Sequence, residues 1–346
     1  MVLQSSGQIT LKEIAAEFNS PAKLKSNYSR DFGVPSSGEI SIQDFYGKAA
    51  QLSNYISDNK ADFDAEEYLN AQYPNNGWHG KYIQIVVGNS RYFYATATNK
   101  YGFKISSTVM NNTQSFTVRN YGYILGKGGN GGRNANGAAG GSAIYVATGA
   151  NFYYHAWGTG GTRVGILAGG GGGGGGAGWT GGGGGAGAGS GGSGKNSAGG
   201  GGGGLGKNGG NGGGRNDARG IGGMAGGGGG RSWSIKKSGD PQSGGGGGGR
   251  NFDFQIANNR WISNGGAGKG SNGGGSQGTN ASSATANGSN GGGRNAGGGG
   301  GWGAKGGKSG SGKSGGAAGR AVKYGSNGHL ATFTKSGRFT SIFGSR

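Results

Sequence analysis

Gly165-Ile166-Leu167-Ala168 runs straight into eight glycines, 169–176. Ile166-Leu167-Ala168 is apolar enough for a short buried strand, but the glycines have no side chain with which to fill a core. Without Cβ atoms, extended segments can approach until backbone N–H meets backbone C=O. Polyproline II geometry rises about 3.1 Å per residue and presents three faces per turn, each able to meet a neighbour. Glycine fills 97 of the 346 positions, most of them between 126 and 320. Further runs stand at 181–185, 199–204, 212–214, 226–230, 244–249, 273–275, 291–293 and 297–301. Glycine loses more freedom on folding than any other residue. Order therefore demands many neighbours at once and clamps at both ends, and a polyglycine helix sandwich is expected over 169–316.

The clamps are written as an internal repeat. Ala138-Ala139-Gly140-Gly141-Ser142-Ala143-Ile144, reaching Arg163-Val164-Gly165-Ile166, is mirrored by Ala317-Ala318-Gly319-Arg320-Ala321-Val322, reaching Arg338-Phe339-Thr340-Ser341-Ile342. Each copy reads as two short strands joined by a turn at Gly149-Ala150-Asn151 or Asn327-Gly328. One copy opens the glycine-rich body over 126–168 and the other closes it over 317–346.

Upstream, 81–125 alternates aromatic and β-branched residues at period two, as in Lys81-Tyr82-Ile83-Gln84-Ile85-Val86-Val87. Gly88-Asn89 and similar turns break the pattern, and a small antiparallel β-domain is expected. Residues 49–72 read as helical, with Ala49, Leu52, Ile56, Phe63 and Leu69 at roughly helical intervals. Asp58 and Asp62 would then share a solvated or partner-facing acidic face. Helix and β-domain together make a division at 49–125. A second repeat fills 1–48: Ser5-Ser6-Gly7-Gln8-Ile9-Thr10 is echoed by Ser36-Ser37-Gly38-Glu39-Ile40-Ser41. Thr10 and Ser41 stand where a helix N-cap is expected, with an acid in the following turn. The fold class is thus mainly β: a small N-terminal α/β attachment module, the antiparallel domain, and the glycine sandwich closed by short strands.

Breaks between the glycine runs carry the informative side chains. Gly-Gly-Arg-Asn recurs at 131–134, 213–216, 248–251 and 292–295, where Asn suits left-handed turn geometry and Arg offers exposed donors. Two longer breaks bring bases and aromatics together. The first holds Arg231, Trp233, Lys236 and Lys237; the second holds Phe252, Phe254, Arg260 and Trp261. Such loops suit a surface that grips sugar, phosphate or protein, and these eight are the candidate receptor-binding residues. If successive runs are antiparallel, the two loops flanking 244–249 emerge at opposite ends, so only one of them reaches the far tip. Trp179 and Trp302, alone at shorter breaks, read as clamps of the bundle.

Charge divides the sequence. Of the 13 acids, only Asp217, Asp240 and Asp253 lie beyond Glu67, while the formal net charge is +20. A basic body behind an acidic front points to a polyanionic or phosphate-bearing partner for the body. There is no cysteine, so disulfides and thiolate metal sites are excluded. No apolar run nears the ~20 residues needed to cross a bilayer, and the N-terminus has no secretory-signal pattern, so synthesis in a cytoplasm is expected. Gly307-Lys308-Ser309-Gly310-Ser311-Gly312-Lys313-Ser314 fits the P-loop pattern but has no strand before it and no helix after it. His79, His155 and His329 lack acid or thiol partners at ligand spacing. Neither a catalytic site, nor a metal site, nor a cofactor is expected.

Two resemblances attach to these motifs. The Ser-Ser-Gly-Gln-Ile series, with Val34-Pro35-Ser36-Ser37-Gly38-Glu39-Ile40-Ser41 and Asp44-Phe45-Tyr46-Gly47, resembles a module of phage tail and fibre proteins. The body, from Tyr123-Ile124-Leu125-Gly126-Lys127 through the run at 169–176 to the closing repeat, resembles the tip adhesins of T-even-type phages. The resemblance implies a phage virion protein of the tail, made in the host cytoplasm, that recognises a host cell-surface receptor: outer-membrane protein, lipopolysaccharide or capsule. It implies contact with other tail proteins through 1–75, no nucleic acid partner and no membrane insertion; the oligomeric state stays open, a trimer included. Those tip adhesins lack the N-terminal module, so the mode of attachment stays open too. Two alternatives stand beside this reading. One is a structural virion protein, a head fibre or tail spacer; the other is a disordered glycine-rich RNA-binding protein. Against the latter, the repeated unit is Arg-Asn in place of Arg-Gly-Gly.

Overall fold

Thr10 and Ser41 open the two copies of the N-terminal repeat in the same way. The Thr10 hydroxyl accepts from the Glu13 N–H at 3.2 Å and the Glu13 carboxylate accepts from the Thr10 N–H at 2.7 Å, starting α1 (Leu11–Phe18). The Asp44 carboxylate accepts from the Ser41 N–H at 2.7 Å over a short 3-10 helix, Ile42–Phe45. The copies close on each other through Phe18 and Phe45, edge to face at 5.8 Å, over buried Leu3, Ile9, Ile14 and Ala50. Glu17, at the end of α1, is buried; it accepts from the Ala50 N–H at 2.8 Å and pairs with buried Lys81, which ties the module to the strands that follow.

The computed structural model describes residues 3, 7–23, 37, 39–45, 50–89, 91–148, 151–156, 165–176, 181–187, 221–223, 227–229, 254–255, 260–261, 288, 296–325, 332–335 and 342–345. From Gln51 on, the polypeptide coils through three sheets, one strand in each per turn. The first turn has β1 (Gln51–Ile56), β2 (Lys60–Ala61) and β3 (Phe63–Asp64), then helix α2 (Ala65–Gln72). The second has β4 (Tyr82–Val87), β5 (Tyr92–Tyr94) and β6 (Phe103–Ile105), then α3 (Ser107–Asn112). The third has β7 (Ser115–Asn120), β8 (Tyr123–Leu125) and β9 (Ile144–Val146). In the fourth, β10 (Phe152–Ala156) and β11 (Ile166–Ala168) come first. The antiparallel pairs β12 (Ile221–Gly223) with β13 (Gly227–Gly229) and β14 (Phe254–Gln255) with β15 (Arg260–Trp261) intervene before β16 (Val322–Tyr324) completes the turn. A last turn contributes β17 (Thr332–Lys335) and β18 (Ile342–Phe343).

The sheet orders are β1-β4-β7-β10-β17, β18-β11-β8-β5-β2 and β16-β9-β6-β3, and every neighbouring pair in them is parallel. The molecule is mostly strand with few helices, as expected, but the antiparallel β-domain is not what forms. Period-two alternation places residues on a strand face without encoding the partner's direction. Here each strand pairs with its counterpart one coil on, as in a solenoid. The two copies of the repeat that brackets the glycine-rich body are such counterparts: Ile144 lies opposite Val322 and Leu167 opposite Ile342.

Residues 49–72 also differ from the helical expectation, since only 65–72 is helix. Leu52 and Ile56, four apart, share a face in a helix and in a strand alike, and β1 is the outcome. Its exposure alternates, with Asn54 and Ile56 buried and Gln51, Ser53 and Tyr55 outward. Asp58 and Asp62 accordingly share no helix face. Asp58 pairs with Lys60 at 2.7 Å, and Asp62 takes Lys100 at 2.8 Å and the Thr96 N–H at 2.7 Å.

Inside the coil, Phe63 of the first turn packs tilted against Phe93 and Phe103 of the second at 4.9 and 4.8 Å. Phe93 and Phe103 stack at 5.7 Å, and Phe103 meets Phe116 of the third turn edge-on at 6.3 Å. Fully burying such a ring contributes roughly 1.5–3 kcal/mol. Buried Asn120 turns the corner from β7 toward β8. Its amide donates to the Tyr154 hydroxyl at 2.8 Å and the Ile166 carbonyl at 2.9 Å, and its oxygen accepts from the Gly122 N–H at 2.9 Å. Burial in turn pushes the Tyr154 phenol well above its usual range.

Candidate functional site

One corner of the coil grows from turn to turn. Between the second and third sheets lies Asp62 alone in the first turn, 95–102 in the second, 126–143 in the third and 169–321 in the fourth. The glycine-rich body is thus an outgrowth of one corner, and the repeat that brackets it is the coil on either side of it.

The run 169–176 has six described neighbours. Its N–H groups donate in rotation to three of them. Gly170, Gly173 and Gly176 bond to Gly141, Ala138 and Ala135; Gly171 and Gly174 to Ala186 and Gly183; Gly172 and Gly175 to Ala304 and Gly307, all at 2.7–2.9 Å. Its carbonyls accept in rotation from the other three. Gly129 and Gly132 bond to Gly171 and Gly174; Gly303, Gly300 and Gly297 to Gly169, Gly172 and Gly175; Gly319 and Gly316 to Gly170 and Gly173, again at 2.7–2.9 Å. Every N–H and every C=O from 170 to 175 is matched, which meets the demand that buried backbone groups be paired. The same rotation governs sterics. A Cβ on Gly173 would fall on the Asn130 carbonyl and one on Gly174 on the Gly297 carbonyl, so the sequence of the run is imposed by its neighbours.

The partner numbering also gives direction. Segments 126–132 and 304–307 run with 169–176, away from the sheets, and 135–141, 181–186, 297–301 and 313–319 run back. At the sheet end, buried Trp302 packs with Leu125, Ile166, Ala168 and Ala186 on the outer face of the second sheet, beside Tyr92, Tyr94 and Tyr123. The clamp expected of Trp302 is found there; Trp179 lies outside the described residues.

At the remote end two described turns sit side by side. Arg133 and Asn134 form the first, with Asn134 at φ 47°, and both are exposed, as read from the Gly-Gly-Arg-Asn motif. The second turn spans 308–312, with the Ser309 N–H donating to the Lys313 carbonyl at 2.8 Å and the Lys313 N–H to the Ser309 hydroxyl at 3.0 Å. The Ser314 N–H donates to the Asn136 amide oxygen at 3.0 Å and fastens one turn to the other. Arg133, Lys308 and Lys313 are exposed there, on a body whose three acids all lie between 217 and 253. Because 313–319 is an extended lattice segment and not a helix, the P-loop letters at 307–314 form no phosphate cradle. This basic end is not among the candidates that the sequence offers. Its signal lies in two motifs, one that reads only as a turn and one whose letters point to a different structure.

Of the sequence candidates, Arg231, Trp233, Lys236, Lys237 and Phe252 lie outside the described residues. The backbone of the other three is described: Phe254 stands opposite Trp261, and Gln255 opposite Arg260, in the antiparallel pair β14–β15. Three of the eight are thus brought into one hairpin pairing.

Several titratable groups on the solenoid are shifted by their neighbours. Burial works to raise the Asp62 carboxyl, but the bonds from Lys100 and Thr96 prevail and hold it below its usual value. The Asp64 carboxylate, 2.9 Å from Lys104 across β3–β6, raises that ammonium. Burial, helped by Arg119, lowers the His155 imidazole. Among the described residues no three His, Cys, Asp or Glu gather as a metal site would require.

No family model matches this protein, and no curated protein matches it. Among solved structures it is similar to part of the "Crystal structure of the gp37-gp38 adhesin tip complex of the bacteriophage S16 long tail fiber", at 20% identity and a TM-score of 0.49, the match spanning 99% of this protein and 99% of the one it matches.

Proposed function

We propose that the protein is a phage tail adhesin whose glycine runs are polyproline-II-like helices stacked as a sandwich, holding receptor-binding loops away from the virion. The observation that carries the reading is the rotation of hydrogen-bond partners along 169–176. A three-residue period is that of a polyproline II helix, whereas a β-strand would repeat every two. Eight residues at about 3.1 Å each make a rigid arm of roughly 25 Å. A spacer would need the arm alone; the basic remote end and the aromatic breaks are what favour an adhesin.

The receptor is a host surface molecule, an outer-membrane protein, lipopolysaccharide or capsule. Arg231, Trp233, Lys236, Lys237, Phe252, Phe254, Arg260 and Trp261 are its proposed contacts. Residues 1–75 are the proposed attachment to other tail proteins, which puts the protein on the virion. No catalytic role and no cofactor are proposed.

Labelled protein applied to a panel of Gram-negative strains tests the function. Binding to some strains and not others is expected, reduced by Trp233→Ala or Trp261→Ala in folded protein and weakened by salt. Equal retention by every strain, unaffected by both substitutions, would leave only the spacer.

A further inference from the structure

We infer that residues 342–345 form a clasp across the neck of the glycine-rich body, and that the order of its central run depends on that clasp. The body joins the solenoid by two stems. One leaves β11 at Ala168 and the other returns at Ala321 into β16. The segment 342–345 touches both. Ile342 and Phe343 lie opposite Leu167 and Ala168, the last residues of β11, where the outgoing stem begins. Two residues on, the Ser345 carbonyl accepts from the Ala321 N–H at 2.9 Å and from the Val322 N–H at 3.4 Å, at the returning stem.

Gly344 makes the step between them. Its φ is 110°, which L side chains rarely adopt, and a Cβ there would meet the Gly319 carbonyl at 2.7 Å and the Ala321 nitrogen at 2.9 Å. Ile342 anchors the segment by packing against the main core of the solenoid. An apolar anchor, a glycine that only a tight crossing requires, and a carbonyl on the far stem thus fall within four residues.

The dependence follows from what enters through the returning stem. Three of the six neighbours of run 169–176, namely 297–303, 304–307 and 313–319, lie on the segment leading into it. They supply the acceptors for the Gly172 and Gly175 N–H groups and the donors for the carbonyls of Gly169, Gly170, Gly172, Gly173 and Gly175. The remaining partners, in 126–132, 135–141 and 181–186, lie on the outgoing side. Loosening the clasp should therefore free a defined subset of the run's backbone groups. The inference stands on these contacts whether or not the protein is an adhesin.

Residue-resolved amide exchange of the full-length protein with Ile342→Asp, and separately with the milder Gly344→Ala, tests it. In both, Gly172 and Gly175 should exchange at least about tenfold faster than in the unmodified protein, while amides of β4 and β7 keep their rates. Unchanged exchange at Gly172 and Gly175 in both variants would overturn the clasp. So would equal acceleration in β4 and β7, which would make 342–345 an ordinary part of the global core.

Discussion

The solenoid and the body that grows from it solve the problem of a core in opposite ways. In the solenoid, Phe63, Phe93, Phe103 and Phe116 fill the interior with side chains, and the backbone bonds sideways to the next turn. In the body the backbone is the filling, and run 169–176 bonds outward in six directions. The first kind of core can lose atoms and survive with a cavity. Run 169–176 has no side-chain atom to lose and cannot accept a single carbon. Sensitivity to substitution should therefore invert between them: large-to-small changes hurt one region, small-to-large changes hurt the other.

The most damaging test of that inversion is Phe103→Ala, which empties the centre of the aromatic column. A loss of about 3–5 kcal/mol is expected, read as a lowered midpoint of denaturant unfolding followed by tyrosine and tryptophan fluorescence. In the body, Gly173→Ala should cost about 3 kcal/mol of local stability, since the new Cβ strikes a backbone carbonyl that cannot step aside. Proteolysis within 169–187 with the solenoid left intact would report it. Gly312→Ala makes the control: its φ of 87° is strained for alanine but nothing lies within 4 Å, so only about 1–2 kcal/mol is expected. If Gly173→Ala proves as mild as Gly312→Ala, close approach is not what fixes the run.

Away from both cores, Thr10→Ala removes an exposed capping box and should cost about 1 kcal/mol, confined to the N-terminal module. Smaller still are the effects of acid. His155 is held below its usual 6.5, so its contribution is complete above that pH and is lost as pH falls through the lower folded value. Asp62 is held below its usual 3.8, so its contribution disappears only in stronger acid. Thermal melts from pH 7 to pH 3 should fall in that order, His155→Gln removing the earlier step and Asp62→Asn the later. A melt that rises on acidification would contradict both.

Much of the architecture can be read from residues alone where the signal is local. Thr10 with Glu13 and Ser41 with Asp44 announce two N-caps, and the repeat 138–166 against 317–342 marks the two ends of the glycine-rich body. Direction is not legible, because Tyr82–Val87 has the same alternation beside a parallel or an antiparallel neighbour. Leu52 and Ile56 fit helix and strand equally. That 169–321 is an outgrowth of one corner cannot be seen without knowing that the corners stack. For the candidate site, Trp302 is legible as a clamp because a lone aromatic among glycines has little else to do. The basic end of Arg133, Lys308 and Lys313 is not, because it exists only when segments 133–136 and 308–314 meet through Asn136 and Ser314.

Scalar couplings across hydrogen bonds, measured by NMR on deuterated protein, test the central claim most directly. Three consecutive glycines, 171, 172 and 173, should couple to the carbonyls of three different segments, at Ala186, Ala304 and Ala138. Couplings in which alternate residues of 169–176 reach a single neighbouring strand, or no couplings at all, would contradict it.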